Sequence, residues 1–142
     1  MRATRINHVS VHAVDLDASE HFYREVFGME PIPAPYFGYP VRWLRVGDMQ
    51  LHLFQRAAEP PVAHHFALTV DDLQGAYSRA AALVILDRPE VRRLPDGSAQ
   101  MYIRDPAGNL VELNAPDADG LDQSVVGPLL KLTGEPGARL YL

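Results

Sequence analysis

Asn7-His8-Val9-Ser10-Val11, running into Val14-Asp15, is echoed by His64-His65-Phe66-Ala67-Leu68, running into Val70-Asp71. Each stretch opens with a histidine on an alternating, strand-like pattern. The two copies also close alike, on Gln50-Leu51-His52-Leu53-Phe54 and on Leu110-Val111-Glu112-Leu113-Asn114. The offsets are 57 residues (His8 to His65) and 60 residues (His52 to Glu112), so one unit is used twice. A repeat of this length is read before anything else, because it fixes the architecture. Pseudo-twofold pairing of two such units predicts that four polar side chains share one cleft: His8, His52, His65 and Glu112.

Working outward, Ile6 to Val14 puts Val9, Val11 and Ala13 on one strand face and His8, Ser10 and His12 on the other. Asp17 with Glu20 three residues later reads as a capping box, and Gly28 closes the helix that follows. Pro31 to Pro40 reads as a loop carrying Tyr36, Phe37 and Tyr39. Val41–Val46 and Met49–Phe54 read as strands joined at Gly47-Asp48. The second unit repeats the order. A strand at His64–Val70 leads to a helix capped by Asp71 or Asp72, with Leu73, Ala76, Tyr77, Ala80 and Leu83 on its apolar side. Val84–Leu86 and the region of Val91 are expected as short strands. Ser98–Ile103 and Asn109–Asn114 are expected as longer ones, joined by the turn Asp105-Pro106-Ala107-Gly108. The expectation is an α+β chain with modules at 5–56 and 62–115 and a C-terminal extension at 116–142, where Val125, Val126, Leu129, Leu130 and Leu132 are available to dock a final element.

Composition narrows the chemistry. The chain has 142 residues, 47% hydrophobic and 22% charged, enough to bury a core without staples. It has no cysteine, which removes disulfides, thiolate catalysis and cysteine zinc sites, so any metal must be held by nitrogen and oxygen. No run of 18 apolar residues is present and the N-terminus leads straight into a strand pattern, so no membrane partner and a cytoplasmic location are expected. A net charge of −5 argues against a nucleic-acid partner. Arg88, Arg92 and Arg93 form the densest basic cluster, diluted by Asp87, Glu90 and Asp96.

Side-chain alternation sends Gln50, His52 and Phe54 one way and Leu51 and Leu53 the other, and Glu112 opposes Val111 and Leu113. A glutamate buried between apolar neighbours is costly unless a cation or a hydrogen-bond network meets it. A divalent ion (Fe, Mn, Zn, Ni or Co) meets that need, and two histidines with one carboxylate form the open facial arrangement of non-haem iron. The plainer reading makes His8 and His65 hydrogen-bonded core histidines, and lets His52 line a pocket while Gln50 points inward. Tyr36, Tyr39 and Trp43 are candidates for a substrate pocket, as well as for simple core cover. Arg45 and Arg104 are candidates for a substrate carboxylate.

Three segments carry a family resemblance: Asn7-His8-Val9 through Phe22-Tyr23 to Phe27-Gly28-Met29, His65-Phe66-Ala67-Leu68 into Val70-Asp71-Asp72, and Tyr102 through Leu113. Together they resemble the vicinal oxygen chelate superfamily, which includes glyoxalase I, fosfomycin-resistance proteins, extradiol dioxygenases and bleomycin-resistance proteins. The resemblance implies paired βαβββ repeats forming a half-barrel, and a metal chelated by two adjacent oxygens of a small-molecule substrate. By position His8, His65 and Glu112 match the family's ligands. His52 falls where glyoxalase I enzymes carry a glutamate that binds metal and moves the substrate proton. His52 is thus expected as a fourth ligand or, with Tyr102, as the group that handles that proton. No histidine occurs in Val91–Pro95, where the dioxygenase signature has one, and no fosfomycin-type cluster is recognisable near the C-terminus. The implied function is a metal-dependent lyase or dioxygenase. The alternatives are a metal-free binding protein that sequesters a small molecule, and a regulatory subunit. A homodimer is expected in each case.

Overall fold

Two strands carry the opening histidines, and each lies parallel to the last strand of its own repeat. The computed structural model describes residues 2, 4–135 and 137–140. The elements run β1 (His8–Ala13), α1 (Leu16–Phe27), β2 (Glu30–Ile32), β3 (Val41–Val46) and β4 (Met49–Gln55). They continue with β5 (His65–Thr69), α2 (Leu73–Ala82), β6 (Arg92–Arg93), β7 (Ala99–Arg104), β8 (Leu110–Ala115), α3 (Gln123–Val126) and β9 (Leu130–Lys131). Both repeats therefore read βαβββ, in two mixed sheets of an α+β fold. The strand orders are β1-β4-β3-β2 and β5-β8-β7-β6-β9. The chain divides into two compact units. The first runs to Pro61 and also takes Asp105–Asn109, and the second comprises Val62–Arg104 and the chain from Leu110 onward.

The apolar faces build each unit's core. Ala13, Leu44, Leu51 and Leu53 are buried in the first, as are Leu16, Phe22 and Tyr23 of α1. Met101, Ile103, Val111 and Leu113 are buried in the second, as are Leu73 and Ala80 of α2. Helix α1 is capped by Asp15, not by Asp17: the Asp15 carboxylate accepts from the backbone N–H groups of Asp17 and Ala18, leaving Asp17 inside the first turn. The capping-box reading placed the start two residues late, because Leu16 already belongs to the buried stripe. Gly28 closes α1 in the left-handed region at φ 63°, where only glycine has no steric penalty.

Three other expectations shift. Val84–Leu86 forms no strand, only a single bridge between Leu86 and Ile103, and the strand near Val91 is β6, one residue later. The Pro31–Pro40 region contributes Pro31 and Ile32 to β2 at the sheet edge, where a missing proline N–H is tolerated. The extension adds β9 parallel to β6 and buries Val126, while Leu130 and Leu132 stay exposed.

Val84 sits just beyond α2 at φ 56°, a left-handed conformation that a β-branched residue strongly disfavours, and its side chain is exposed. The Ile85 N–H bonds the Ala80 carbonyl across it, closing the helix as glycine usually does. Val84→Gly is expected to stabilise the protein by about 1 kcal/mol, read as a melting temperature raised by roughly 2–6 °C. An unchanged or lowered melting temperature would count against strain at this residue.

Candidate functional site

The registers give the two repeats the same layout. In the first sheet His8 pairs with Gln50 and Ser10 with His52 across β1 and β4, and Trp43 stands opposite His52 across β3 and β4. In the second, His65 pairs with Leu110 and Ala67 with Glu112, and Tyr102 stands opposite Glu112. His8 thus corresponds to His65, His52 to Glu112 and Trp43 to Tyr102. Within each sheet these residues share the face turned away from the helix-packed core.

In the first unit the rings stack. His52 lies between Trp43 (centroids 3.9 Å apart, planes 1° from parallel) and His8 (4.3 Å, 14°). The Nε2 of His52 hydrogen-bonds the Gln50 side-chain oxygen at 2.8 Å, and Nδ1 of His8 donates to the Asn7 side-chain oxygen. His52 is 5% exposed, and burial, followed by the proximity of His8, holds its pKa below the ordinary imidazole value. Nitrogen lone pairs lie in the ring plane, so two nearly parallel rings do not aim at one point. For His8 and His52 to share an ion, one ring must turn out of the stack.

The second unit brings its candidates into direct contact. Glu112, 4% exposed, accepts from the Tyr102 hydroxyl at 3.0 Å on Oε2 and from Asn114 Nδ2 at 3.2 Å on Oε1. The Thr69 hydroxyl donates to Asn114 Oδ1 at 3.0 Å, which fixes which way that amide points. Burial, and then the hydrogen bond to Glu112 and its charge, push the Tyr102 phenol up to about 12, so it keeps its proton at neutral pH. His65 Nδ1 lies 2.9 Å from the Ala63 carbonyl oxygen and its Nε2 lies 3.1 Å from Glu112 Oε2. A carbonyl oxygen only accepts, so Nδ1 carries the proton and, in the neutral ring, Nε2 presents a lone pair to a carboxylate oxygen. Two acceptors facing one another need something positive between them: a second ring proton or a cation.

The pocket candidates separate. Tyr36 and Tyr39 line an open groove of about 360 Å³ with Pro35, Val41 and Arg42, whereas Trp43 belongs to the histidine stack. Phe37 links them, 6.1 Å from Tyr39 and 6.2 Å from both Trp43 and Phe54. Arg45 is paired with Glu30, and Arg104 with Asp87 at 2.7 Å. Among the described residues no group of three or more His, Asp or Glu side chains is gathered to hold a metal ion. No helix among them is long and apolar enough to cross a membrane.

Sequence reasoning does not reveal the Asn114–Thr69 support of Glu112, and it counts Arg88 and Arg92 in a diluted basic cluster without placing them beside Tyr102. Asn114 stands two residues after Glu112 on a strand, hence on the same face, which was the available signal.

Residues 5–113 match the model of the Glyoxalase/Bleomycin resistance protein/Dioxygenase superfamily, and the chain belongs to that superfamily, the vicinal oxygen chelate group its motifs resemble. The mitochondrial methylmalonyl-CoA epimerase of Mus musculus is 28% identical over 133 aligned residues, covering 77% of this chain and 71% of the epimerase. The uncharacterized protein YwbC of Bacillus subtilis (strain 168) is 30% identical over 126 residues, covering 78% and 96%. Lactoylglutathione lyase from Agrobacterium tumefaciens superposes with a TM-score of 0.62 at 30% identity, over 85% of this chain and 100% of the lyase. The fosfomycin resistance protein FosX of Listeria monocytogenes gives 0.68 at 18% identity, over 83% and 98%, a likeness of fold alone. At the level of the family, the chain's relatives include enzymes.

Proposed function

We propose that the chain is a divalent-metal-dependent enzyme that takes a small organic substrate through two adjacent oxygens and moves a proton on the neighbouring carbon. One observation carries this reading: His65 Nδ1 is tied to a backbone carbonyl while its Nε2 lone pair faces Glu112 Oε2. Metal-ligating histidines are held in this way, one ring nitrogen donating to a carbonyl or carboxylate and the other left bare for the ion. Two ligand atoms each about 2.1 Å from one ion, at angles of roughly 90–110°, lie about 3.0–3.4 Å apart, and the 3.1 Å separation of His65 Nε2 and Glu112 Oε2 fits that span. Asn7 orders His8 in the same sense.

The reading from sequence makes His8, His65 and Glu112 the ligands and His52 a further ligand or the base, and within the second unit the spacing of His65 and Glu112 supports their part in it. The stack and the bond to Gln50 favour the base, since an imidazole tied to metal is a poor one. When bound, the dication supplies stabilisation of negative charge on the substrate oxygens. In this reading His52 takes the substrate proton. Tyr102, which keeps its own proton, donates to Glu112 and holds the carboxylate in place. The epimerase among the relatives supports this step, because epimerisation beside a carbonyl removes a proton from one carbon and returns it. A cytoplasmic homodimer belongs to the same reading, from size and composition.

A second reading has its own support. The cluster of Phe37, Tyr39, Trp43 and Phe54 beside His52 suits a metal-free protein that sequesters a flat small molecule. Elemental mass spectrometry of untagged protein purified without chelators separates the two. About one Fe, Mn, Ni, Co or Zn per chain is expected. Protein that stays metal-free after incubation with each ion in turn would overturn the enzyme reading in favour of sequestration.

A further inference from the structure

Three arginines crowd the Glu112 face of the second sheet, and their partners do not balance. Asp87 serves two of them: Arg88 donates from Nε and Nη2 to Oδ2 at 3.0 and 2.8 Å, and Arg104 donates from Nε to Oδ1 at 2.7 Å. Among the described residues Arg92 has no comparable partner. The nearest carboxylate oxygen among them, on Glu90, is 4.0 Å away, and the buried Nε of Arg92 finds no hydrogen-bond partner among them. Arg92 pairs with Gln100 and Gln100 with Asn114, which puts Arg92 on the face that carries Tyr102 and Glu112. The guanidinium carbons of Arg88 and Arg92 lie 4.8 and 5.7 Å from the centre of the Tyr102 ring, whose hydroxyl donates to Glu112.

We infer that Arg92, with Arg88 beside it, forms an oxyanion subsite that takes a carboxylate or phosphate group of the substrate next to Glu112 and His65. The inference rests on the proposed site and names a property of its substrate, a negative charge. Arg88 and Arg104 share the close carboxylate of Asp87, which leaves the guanidinium of Arg92 with uncommitted N–H donors beside Tyr102. The phenol ring gives each cation a face to rest on but accepts no hydrogen bond from the guanidinium edge. A planar oxyanion accepts two N–H groups of a guanidinium at once and is the ligand that edge fits best. A quarter of the Arg92 side chain remains exposed, so the group is open to a ligand. The two arginines read from sequence as candidates for a substrate carboxylate, Arg45 and Arg104, are already paired.

The test is calorimetric titration at fixed ionic strength with malonate, inorganic phosphate and the neutral malonamide. It uses wild type, Arg92→Ala and Arg92→Lys, each as purified and again after chelator treatment. Wild type is expected to bind malonate or phosphate in both states and malonamide in neither. Arg92→Ala should weaken the anion by roughly tenfold or more, and Arg92→Lys, which keeps the charge but not the planar fork, by less. Preference for malonate assigns the subsite to a carboxylate, and preference for phosphate to a phosphate. Equal anion affinity in Arg92→Ala and wild type, malonamide binding as tight as malonate, or no anion binding after chelation would each overturn the inference. Metal content, measured on the same samples, reports separately on the site itself. The Arg92→Lys variant keeps the test valid if Arg92→Ala folds poorly.

Discussion

Glu112→Gln is expected to lower affinity for the divalent ion by at least about a hundredfold while leaving the melting temperature unchanged or slightly raised. The separation follows from the partners of Glu112. Its Oε1 accepts from the Asn114 amide, so glutamine must keep its carbonyl oxygen there and turn its own NH2 toward Tyr102 and His65. The Tyr102 hydroxyl can rotate and accept, and the bare His65 Nε2 is an acceptor already. The substitution thus removes a ligand charge and at the same time ends the confrontation of two acceptors. Glu112→Ala, by contrast, strips the partners from both Tyr102 and Asn114 and should cost stability as well as metal. Competition with a chromogenic chelator, alongside calorimetric melting, reads both quantities. Wild-type metal affinity in Glu112→Gln would remove this carboxylate from the site.

Asp105→Ala is expected to destabilise the fold by about 3–5 kcal/mol, without direct effect on the candidate ligands. Asp105 is 4% exposed, and its carboxylate accepts four hydrogen bonds. Oδ1 takes the backbone N–H groups of Ala107 and Asn109 at 2.9 and 2.8 Å. Oδ2 takes the Tyr23 hydroxyl at 2.7 Å and Asn109 Nδ2 at 2.8 Å. Asn109 Nδ2 also donates to the His12 carbonyl, which ties the turn to β1. Burial, then the Asp105 charge and hydrogen bond, push the Tyr23 phenol well above its ordinary pKa, so Tyr23 remains a donor throughout the physiological range. Alanine leaves that fully buried hydroxyl without its acceptor and frees the turn. Asp105→Asn, which keeps one oxygen, should fall between the two. Denaturant unfolding measures the series, and a loss below about 1 kcal/mol for alanine would mean that the turn is held by other contacts.

The sequence makes some of this visible and hides the rest, for physical reasons. The strand positions and faces of His8, His65, His52 and Glu112 are readable because the repeat and the two-residue strand period act together, and the registers agree with that period. Helices α1 and α2 are readable from their apolar spacing. The cap at Asp15 is not, since Asp15 and Asp17 offer the same chemistry and only the burial of Leu16 decides between them. Strands β2, β6 and β9 are two or three residues long, too short for a period, and exist because neighbours supply hydrogen bonds. The His52–Trp43 stack depends on which residues face one another across β3 and β4, and Arg92 stands out only once the partners of Arg88 and Arg104 are known.

The five residues Asp105–Asn109 are encoded in the second repeat and packed with the first. A gene cut after Pro61 would yield two products of which the first lacks its final piece: Tyr23 would lose the Asp105 carboxylate and the His12 carbonyl the Asn109 amide. The duplication legible in the sequence has therefore ceased to be a duplication of independent parts. The first unit is complete only with a segment that the second repeat encodes.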